Sequence, residues 1–111
     1  LYATPEGKLP VITLHPKLEQ ALVDSLQQTA LGMYPVLEPG AVRRLMERLR
    51  EATENASRRG VNPVVLCAGR VRLPFRRLIE RNFPLLAVVA LQEITPDVEV
   101  EAIGTVMWDE D

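Results

Sequence analysis

The sequence contains one cysteine, Cys67, among its 111 residues. A lone cysteine excludes an intramolecular disulfide, and it also excludes the paired-cysteine motifs that bind metals or carry redox chemistry. A reducing compartment is therefore the expected environment. Aromatic residues make up only 5% of the chain, so the core has to be filled by Leu, Val, Ile and Ala, which are common in layered α/β packing.

Long hydrophobic runs are also missing. No apolar segment approaches the roughly 20 residues that a membrane-spanning helix needs, and the N-terminus lacks the basic-then-apolar pattern of a signal peptide. We therefore expect a soluble polypeptide. The sequence begins at Leu1 without an initiating methionine, which suggests a piece of a longer protein.

The composition fits one domain. With 47% hydrophobic and 25% charged residues, a chain of this length can form a single hydrophobic core. The formal net charge is −2, but the charges are unevenly distributed along the chain. Arginines are concentrated in the middle of the chain and acidic residues at its C-terminal end. Such segregation favours protein partners with complementary patches. We expect residues 1–111 to form a single α/β subdomain, with an acidic tail at residues 107–111.

Residues 61–91 form the centre of the predicted fold. Residues 64–66 and 85–91 are continuous apolar runs without polar alternation, which is typical of strands buried on both faces and therefore of parallel pairing. Between them we expect an amphipathic helix, with Pro74 in its first turn and a right-handed crossover between the strands. The apolar face of that helix is predicted to contain Leu73, Phe75, Leu78 and Ile79.

The first half of the chain predicts a strand and two helices. Residues 9–14 are a short β-branched run, and Pro10 within it predicts an edge strand or the very start of a strand, since proline cannot donate to a ladder. A helix begins at Pro16. Residues 29–35 read as a loop, and the longest helix follows it and ends at Gly60.

The last strand, at residues 98–106, alternates apolar and charged side chains, which is the period of a strand half exposed to water. The preceding connection at residues 92–97 is short, so we expect this strand to return antiparallel or to diverge to an edge. The predicted fold class is α/β, a small mixed sheet with helices packed on it, in the order β-α-α-β-α-β-β.

Four sequence patterns carry a resemblance to a known family. They are Leu9-Pro10-Val11-Ile12 leading to Pro16-x-Leu18-Glu19, then Arg70-Val71-Arg72, then Gln92-Glu93-Ile94, and a closing strand that reaches Gly104. Across nearly the whole chain the sequence resembles the C-terminal end of the cytoplasmic region of the type III secretion export gate family. This family includes the flagellar FlhA and the injectisome InvA, LcrD and SctV proteins. It often has Asp where this chain has His15, and Asn where this chain has Gln92.

The resemblance implies a non-enzymatic role in protein export, without a cofactor. Family members are bacterial inner-membrane proteins whose cytoplasmic region forms a ring of nine subunits. That ring receives chaperone-bound substrates and components of the export ATPase complex. This chain would be the last subdomain of that region, joined to the membrane only through the missing N-terminal part. Ring contacts and chaperone docking are attributed largely to upstream subdomains, so the chain alone is not expected to assemble a ring.

An enzymatic alternative starts from Cys67, which lies where a strand ends and a helix begins. This is the position from which α/β proteins present nucleophiles and bind anions. The Cys-x4-Arg spacing to Arg72 matches a sulfurtransferase-like loop, so a small cysteine-dependent, anion-binding enzyme is the alternative function. Against it, free cysteine usually behaves as a small hydrophobe.

The arginines of the central helix are the candidate partner-docking residues. They are Arg70, Arg72, Arg76, Arg77 and Arg81. Nucleic acid could bind a basic face of this kind, but aromatic residues for stacking are absent and the overall charge is negative, so no nucleic-acid partner is expected. A solvated helix face is the third interpretation. No catalytic or metal-binding residue is predicted, because His15 lacks partner ligands and Glu99 and Glu101 fit a solvated strand edge.

Overall fold

The computed structural model describes residues 8–30 and 32–107. In chain order the elements are β1 (Lys8–Leu14), α1 (Pro16–Asp24), β2 (Leu26–Thr29), β3 (Gly32–Pro35), α2 (Pro39–Arg58), β4 (Val64–Cys67), α3 (Gly69–Ile79), β5 (Val88–Ala90) and β6 (Glu99–Val106). A short 3-10 turn, Leu91–Glu93, lies between β5 and β6. The α/β class and the predicted order are confirmed, with a hairpin, β2–β3, added between the first two helices. The predicted acidic tail lies outside the described residues, except for Met107.

The main sheet contains four strands in the order β5-β4-β1-β6, and every neighbouring pair is parallel. The parallel pair predicted at the centre is therefore confirmed, with α3 connecting β4 to β5. β5 is shorter than the apolar run at residues 85–91. Leu85 is 94% exposed, because the guanidinium of Arg76 binds backbone carbonyls of the loop at residues 83–86 and holds that loop outside the ladder.

β1 is an inner strand, so the edge strand, one of the two alternatives predicted from Pro10, is wrong. The other alternative, the very start of a strand, is close to the observed place of Pro10 as the third residue of β1. β1 pairs with β6 from Lys8 to Leu14, but its pairing with β4 begins only at Val11. Pro10 therefore precedes the part of the strand that has a neighbour on both sides. A proline is tolerated there, because its missing amide hydrogen removes no bond from the doubly paired segment.

The last strand takes the edge position next to β1 and does not return antiparallel to β5. Residues 91–98, which we call the strap, cross from one edge of the sheet to the other. A register shift opposite Val11 and Ile12 leaves Ile103 as an extra residue in β6, which is a β-bulge. The predicted alternation of buried and exposed residues is wrong for the first half of β6. Val100 is 40% exposed, because an edge strand is paired on one side only.

The two faces of the sheet are covered differently. All three helices pack on one face, where their buried side chains are Leu18, Leu22, Leu45, Leu49, Val71, Phe75 and Ile79. On the opposite face, the buried strand residues are Leu9, Val11, Val64 and Leu66. Ile94 and Val98 of the strap pack against this second cluster. The sheet is thus buried on both faces, as parallel sheets require, although one face has no helix.

α3 begins at Gly69, so Pro74 lies inside the helix and not in its first turn. Its buried face consists of Val71, Phe75 and Ile79. Leu73, which the sequence predicts on that face, is 46% exposed. The reason is geometric: position 73 is two residues from both Val71 and Phe75, and two residues turn an α-helix by about 200°.

A β-hairpin replaces the loop predicted at residues 29–35. β2 and β3 pair antiparallel, and Gly32 has a φ of 101°, a left-handed conformation that glycine adopts without steric cost. The Thr29 hydroxyl donates a 2.7 Å hydrogen bond to the Gly32 carbonyl. Each strand has only four residues, which is too short for a clear period-two pattern in the sequence.

Leu45 on α2 is fully buried, whereas Leu85 is 94% exposed. We expect Leu45→Ala to lower the free energy of unfolding by about 2 to 4 kcal/mol, because it removes buried methyl groups and leaves a cavity. Leu85→Ala is the matched control and should change this free energy by less than about 0.5 kcal/mol. Urea denaturation measures both effects, and equal losses would contradict the assignment of the buried face of α2.

Candidate functional site

Cys67 is the last residue of β4 and directly precedes the N-terminus of α3, as predicted. Its side chain is 4% exposed, and its thiol lies 3.8 Å from the Val89 carbonyl oxygen. Burial, followed by the nearby Glu19 carboxylate, raises the pKa of the thiol to about 12, while Arg72 opposes this shift and Glu93 adds to it. A thiol with this pKa is protonated at neutral pH, so it does not supply the thiolate that nucleophilic catalysis needs.

The N-terminus of α3 already holds an anion from within the chain. Glu19 on α1 accepts a 2.9 Å hydrogen bond from the backbone amide of Ala68, the N-cap residue of α3. A carboxylate is favourable there, because the helix dipole and the free amides at a helix N-terminus attract negative charge. An anionic substrate would have to displace Glu19.

The strap covers the junction between the end of β4 and the N-terminus of α3. A Cβ atom added to Gly69 would come within 2.1 Å of the Gln92 side-chain nitrogen, so the strap lies directly on the start of α3. The Glu93 carboxylate accepts a 2.7 Å hydrogen bond from the Ala90 amide and lies 3.8 Å from the Arg72 Nε. Both residues of the alternative enzyme prediction thus belong to a closed structural junction, and the geometry does not support that function.

Arg76, one of the five candidate docking arginines, is bound inside the chain. Its guanidinium donates hydrogen bonds of 3.0 to 3.2 Å to the carbonyls of Phe83, Pro84 and Leu86. These bonds connect α3 to the loop that precedes β5. Arg76 therefore stabilises the fold, a role that its position in the sequence does not reveal.

The other four arginines differ in their surroundings. Arg77 donates a 2.7 Å hydrogen bond to the Met33 carbonyl on β3, and Arg72 faces Glu93 of the strap. Arg70 and Arg81 are exposed at opposite ends of α3. The five residues are therefore not one continuous docking surface, and partner docking through them stays a prediction.

A groove lies between α2, β3 and the C-terminal end of α3. The residues that line it are Tyr34, Val42, Arg43, Met46, Arg77, Leu78, Glu80, Arg81 and Asn82, and its volume is about 610 Å³. We call it the basic groove. The prediction from the sequence found Arg77 and Arg81 but missed the contributions of α2 and β3, because only tertiary packing brings those elements to α3.

The remaining candidates have structural roles. The His15 Nδ1 accepts a 3.0 Å hydrogen bond from the Lys17 amide and caps α1. On the exposed edge, the Glu99 carboxylate lies 4.0 Å from the Lys8 Nζ. Residues 8–30 and 32–107 contain no group of three side chains that could hold a metal ion. No helix in the described part of the chain is both long and apolar enough to cross a membrane.

The chain is similar in sequence to a known protein family and to a curated relative. Residues 1–99 match the FHIPEP family. The chain is 34% identical over 105 residues to the flagellar biosynthesis protein FlhA of Bacillus subtilis, covering 95% of this chain and 16% of that protein. The chain therefore spans only about a sixth of the length of this curated relative.

Two solved structures share the fold. Nonameric SctV-C from EPEC has a TM-score of 0.81 and 27% sequence identity, covering 95% of this chain and 31% of that chain. The Chlamydia pneumoniae CdsV and CdsO protein complex has a TM-score of 0.76 and 29% identity, covering 96% of this chain and 31% of that chain.

Replacing Arg76 tests its structural role. We expect Arg76→Ala to lower the free energy of unfolding by about 1 to 3 kcal/mol, because three loop carbonyls lose a charged donor. Arg70→Ala on the same helix is the control, and this exposed position should change stability by less than about 0.5 kcal/mol. Chemical denaturation compares the two, and equal stability would show that the loop does not depend on Arg76.

The raised pKa of Cys67 predicts a loss of stability in alkali. In the unfolded chain the thiol ionises near its ordinary pKa of 9.0, whereas in the folded chain it stays protonated up to about pH 12. The unfolded state therefore binds fewer protons between these values, and the stability that the thiol contributes falls as the pH rises.

From about pH 8 to about pH 10, this loss should be on the order of 1 kcal/mol. Urea denaturation of the wild type and of Cys67→Ala at both pH values isolates the contribution of the thiol, since other titrating groups are common to the two chains. Identical pH dependence in both would contradict the buried, protonated thiol.

Proposed function

Because the chain belongs to the FHIPEP family, which is the type III secretion export gate family identified from its sequence, we propose that it forms the C-terminal subdomain of the cytoplasmic region of an export gate protein. The observation that carries the proposal is the family match across residues 1–99. The similarity to SctV-C, with a TM-score of 0.81, supports the same assignment at the level of the fold.

The parent protein would be a ring-forming platform at the cytoplasmic face of the bacterial inner membrane. The nonameric state of SctV-C from EPEC supports this arrangement. Because the chain covers 31% of that structure's chain, we assign membrane attachment and most ring contacts to other parts of the parent protein.

The proposed partners are proteins, namely chaperone-bound export substrates and components of the export ATPase complex. The structure of Chlamydia pneumoniae CdsV in complex with CdsO supports a protein partner for a relative of this fold. Docking and assembly require no cofactor and no nucleophile. This agrees with a buried thiol whose pKa is about 12.

Docking would use the exposed arginines of α3 directly. Arg70 and Arg81 are exposed, and guanidinium groups bind carboxylates through two parallel hydrogen bonds. Arg72 and Arg76 would act indirectly, because they fix the strap and the loop at residues 83–86 against α3. Arg77 also fixes the hairpin against α3.

The test is protein secretion by the bacterium that encodes the chain. A stop codon before residue 8 should abolish the appearance of exported proteins in the culture medium, because the subdomain is required for export. The level of the truncated protein in the membrane fraction is the control for synthesis. Cys67→Ser should leave secretion unchanged, because the thiol has no role in docking.

Two outcomes would contradict the proposal. Normal secretion by a truncated protein that is present at the normal level would show that the subdomain is dispensable. Loss of secretion in a folded Cys67→Ser protein would instead favour the cysteine-dependent enzyme.

A further inference from the structure

We propose that the basic groove binds an acidic amphipathic helix of a partner protein. This inference rests on the proposed function, since it assigns the partner chemistry of one surface of the export gate subdomain. Three separate elements, α2, β3 and the C-terminal end of α3, form the groove.

The charge of the groove is the first observation. Arg43, Arg77 and Arg81 line it, against the single carboxylate of Glu80. Among the ion pairs of the described residues, none involves Arg43 or Arg81. Their charge is therefore available to carboxylates of a partner, and bidentate arginine–carboxylate pairs give both energy and orientation.

One of the three arginines is fixed in place. The Arg77 guanidinium donates a 2.7 Å hydrogen bond to the Met33 carbonyl, and the Tyr34 hydroxyl donates a 3.3 Å hydrogen bond to the Arg77 carbonyl. Both contacts come from β3, one to the guanidinium and one to the backbone of Arg77, so the hairpin fixes this residue. A donor that is already ordered loses less conformational entropy when a ligand binds.

The second observation is the apolar floor. Met46 and Leu78 line the groove and pack against the hydrophobic core, so they are partly buried. A smaller groove of about 250 Å³ continues it past Arg43 and Met46 to Phe83. An apolar strip flanked by charges fits an amphipathic helix, which places apolar side chains in a groove and charged side chains along its rim.

A protein helix fits this surface better than nucleic acid does. Among the described residues, Tyr34 is the only one with an aromatic side chain that lines the 610 Å³ groove, and its hydroxyl donates a hydrogen bond to the Arg77 carbonyl. The 610 Å³ groove therefore lacks a series of aromatic rings on which successive bases could stack. Glu80 in this groove and Glu47 in the continuation would repel phosphates, whereas a helix can place its carboxylates away from them.

The experiment uses the 111-residue chain, labelled with ¹⁵N, and a designed helical peptide with leucine on one face and glutamate along its flanks. Titration by NMR should shift the amide signals of Met46, Leu78 and Arg81. The double variant Arg43→Glu and Arg81→Glu should weaken binding by at least about tenfold, because two attractive pairs become repulsive. The control is Arg44→Glu with Arg59→Glu, which makes the same charge change at exposed positions that do not line the groove.

A charge swap distinguishes a loss of binding from a loss of folding in the double variant. A peptide with lysine in place of each glutamate should bind the Arg43→Glu, Arg81→Glu chain and not the wild type. Shifts that map outside the groove, or equal weakening by the control variant, would overturn the proposal. A single-stranded RNA oligonucleotide is the third probe, and binding of RNA in preference to the acidic peptide would also overturn it.

Secretion assays of two variants distinguish a failure of this inference from a failure of the proposed function. If truncation before residue 8 abolishes export but the folded Arg43→Glu, Arg81→Glu protein exports normally, the groove proposal fails and the export function stands. If truncation leaves export intact, the proposed function fails, whereas the peptide titration still decides what the groove binds.

Discussion

A parallel sheet has apolar side chains on both faces, and the need to cover both of them determines how this chain is arranged. Three helices cover one face, and the strap covers the other with Ile94 and Val98. The strap is also the connection that carries the chain from one edge of the sheet to the other. Its polar residues Gln92 and Glu93 close over the junction between β4 and α3. One irregular segment thus completes the core and seals the place where an α/β enzyme would have its active site.

The arginines of α3 connect this architecture to the proposed function. Arg76 and Arg77 bind backbone carbonyls of two other segments, so α3 holds together the hairpin, the loop before β5 and the sheet. The groove that these contacts create has walls from distant parts of the sequence. Under the proposed function, this arrangement would present charge to partner proteins from fixed positions.

The sequence predicted the fold where the signal is local and strong. The apolar run before Cys67 predicts a buried parallel strand, and Gly60 predicts the end of the longest helix; both agree with the structure. The placement of Pro74 in the first turn of α3 was wrong, because the N-cap residue Ala68 has no capping side chain that would mark the start of the helix at Gly69. The edge alternative for β1 was wrong because the sequence around Pro10 does not reveal that pairing with β4 begins only at Val11.

The candidate site was harder to predict than the fold. The pattern of Cys67 and Arg72 shows correctly that a strand meets a helix there, but not that Glu19, fixed on another helix, occupies the anion position. The sequence predicts that the arginines of α3 form one basic face. In the structure, Arg76 and Arg77 bind backbone carbonyls, whereas Arg70 is exposed. Carbonyl groups carry no sequence signal, so contacts of this type become visible only in three dimensions.

The pairing of the first strand with the last has a consequence for biosynthesis. β1 is bonded to β6 along its length, and the hydroxyls of Thr13 and Thr105 lie 2.8 Å apart across this pair. While the ribosome is still adding the residues of β6, β1 lacks its neighbour on one side and its backbone edge is open. Because such distant contacts form late and slowly, the nascent chain completes this sheet only after translation has passed Val106.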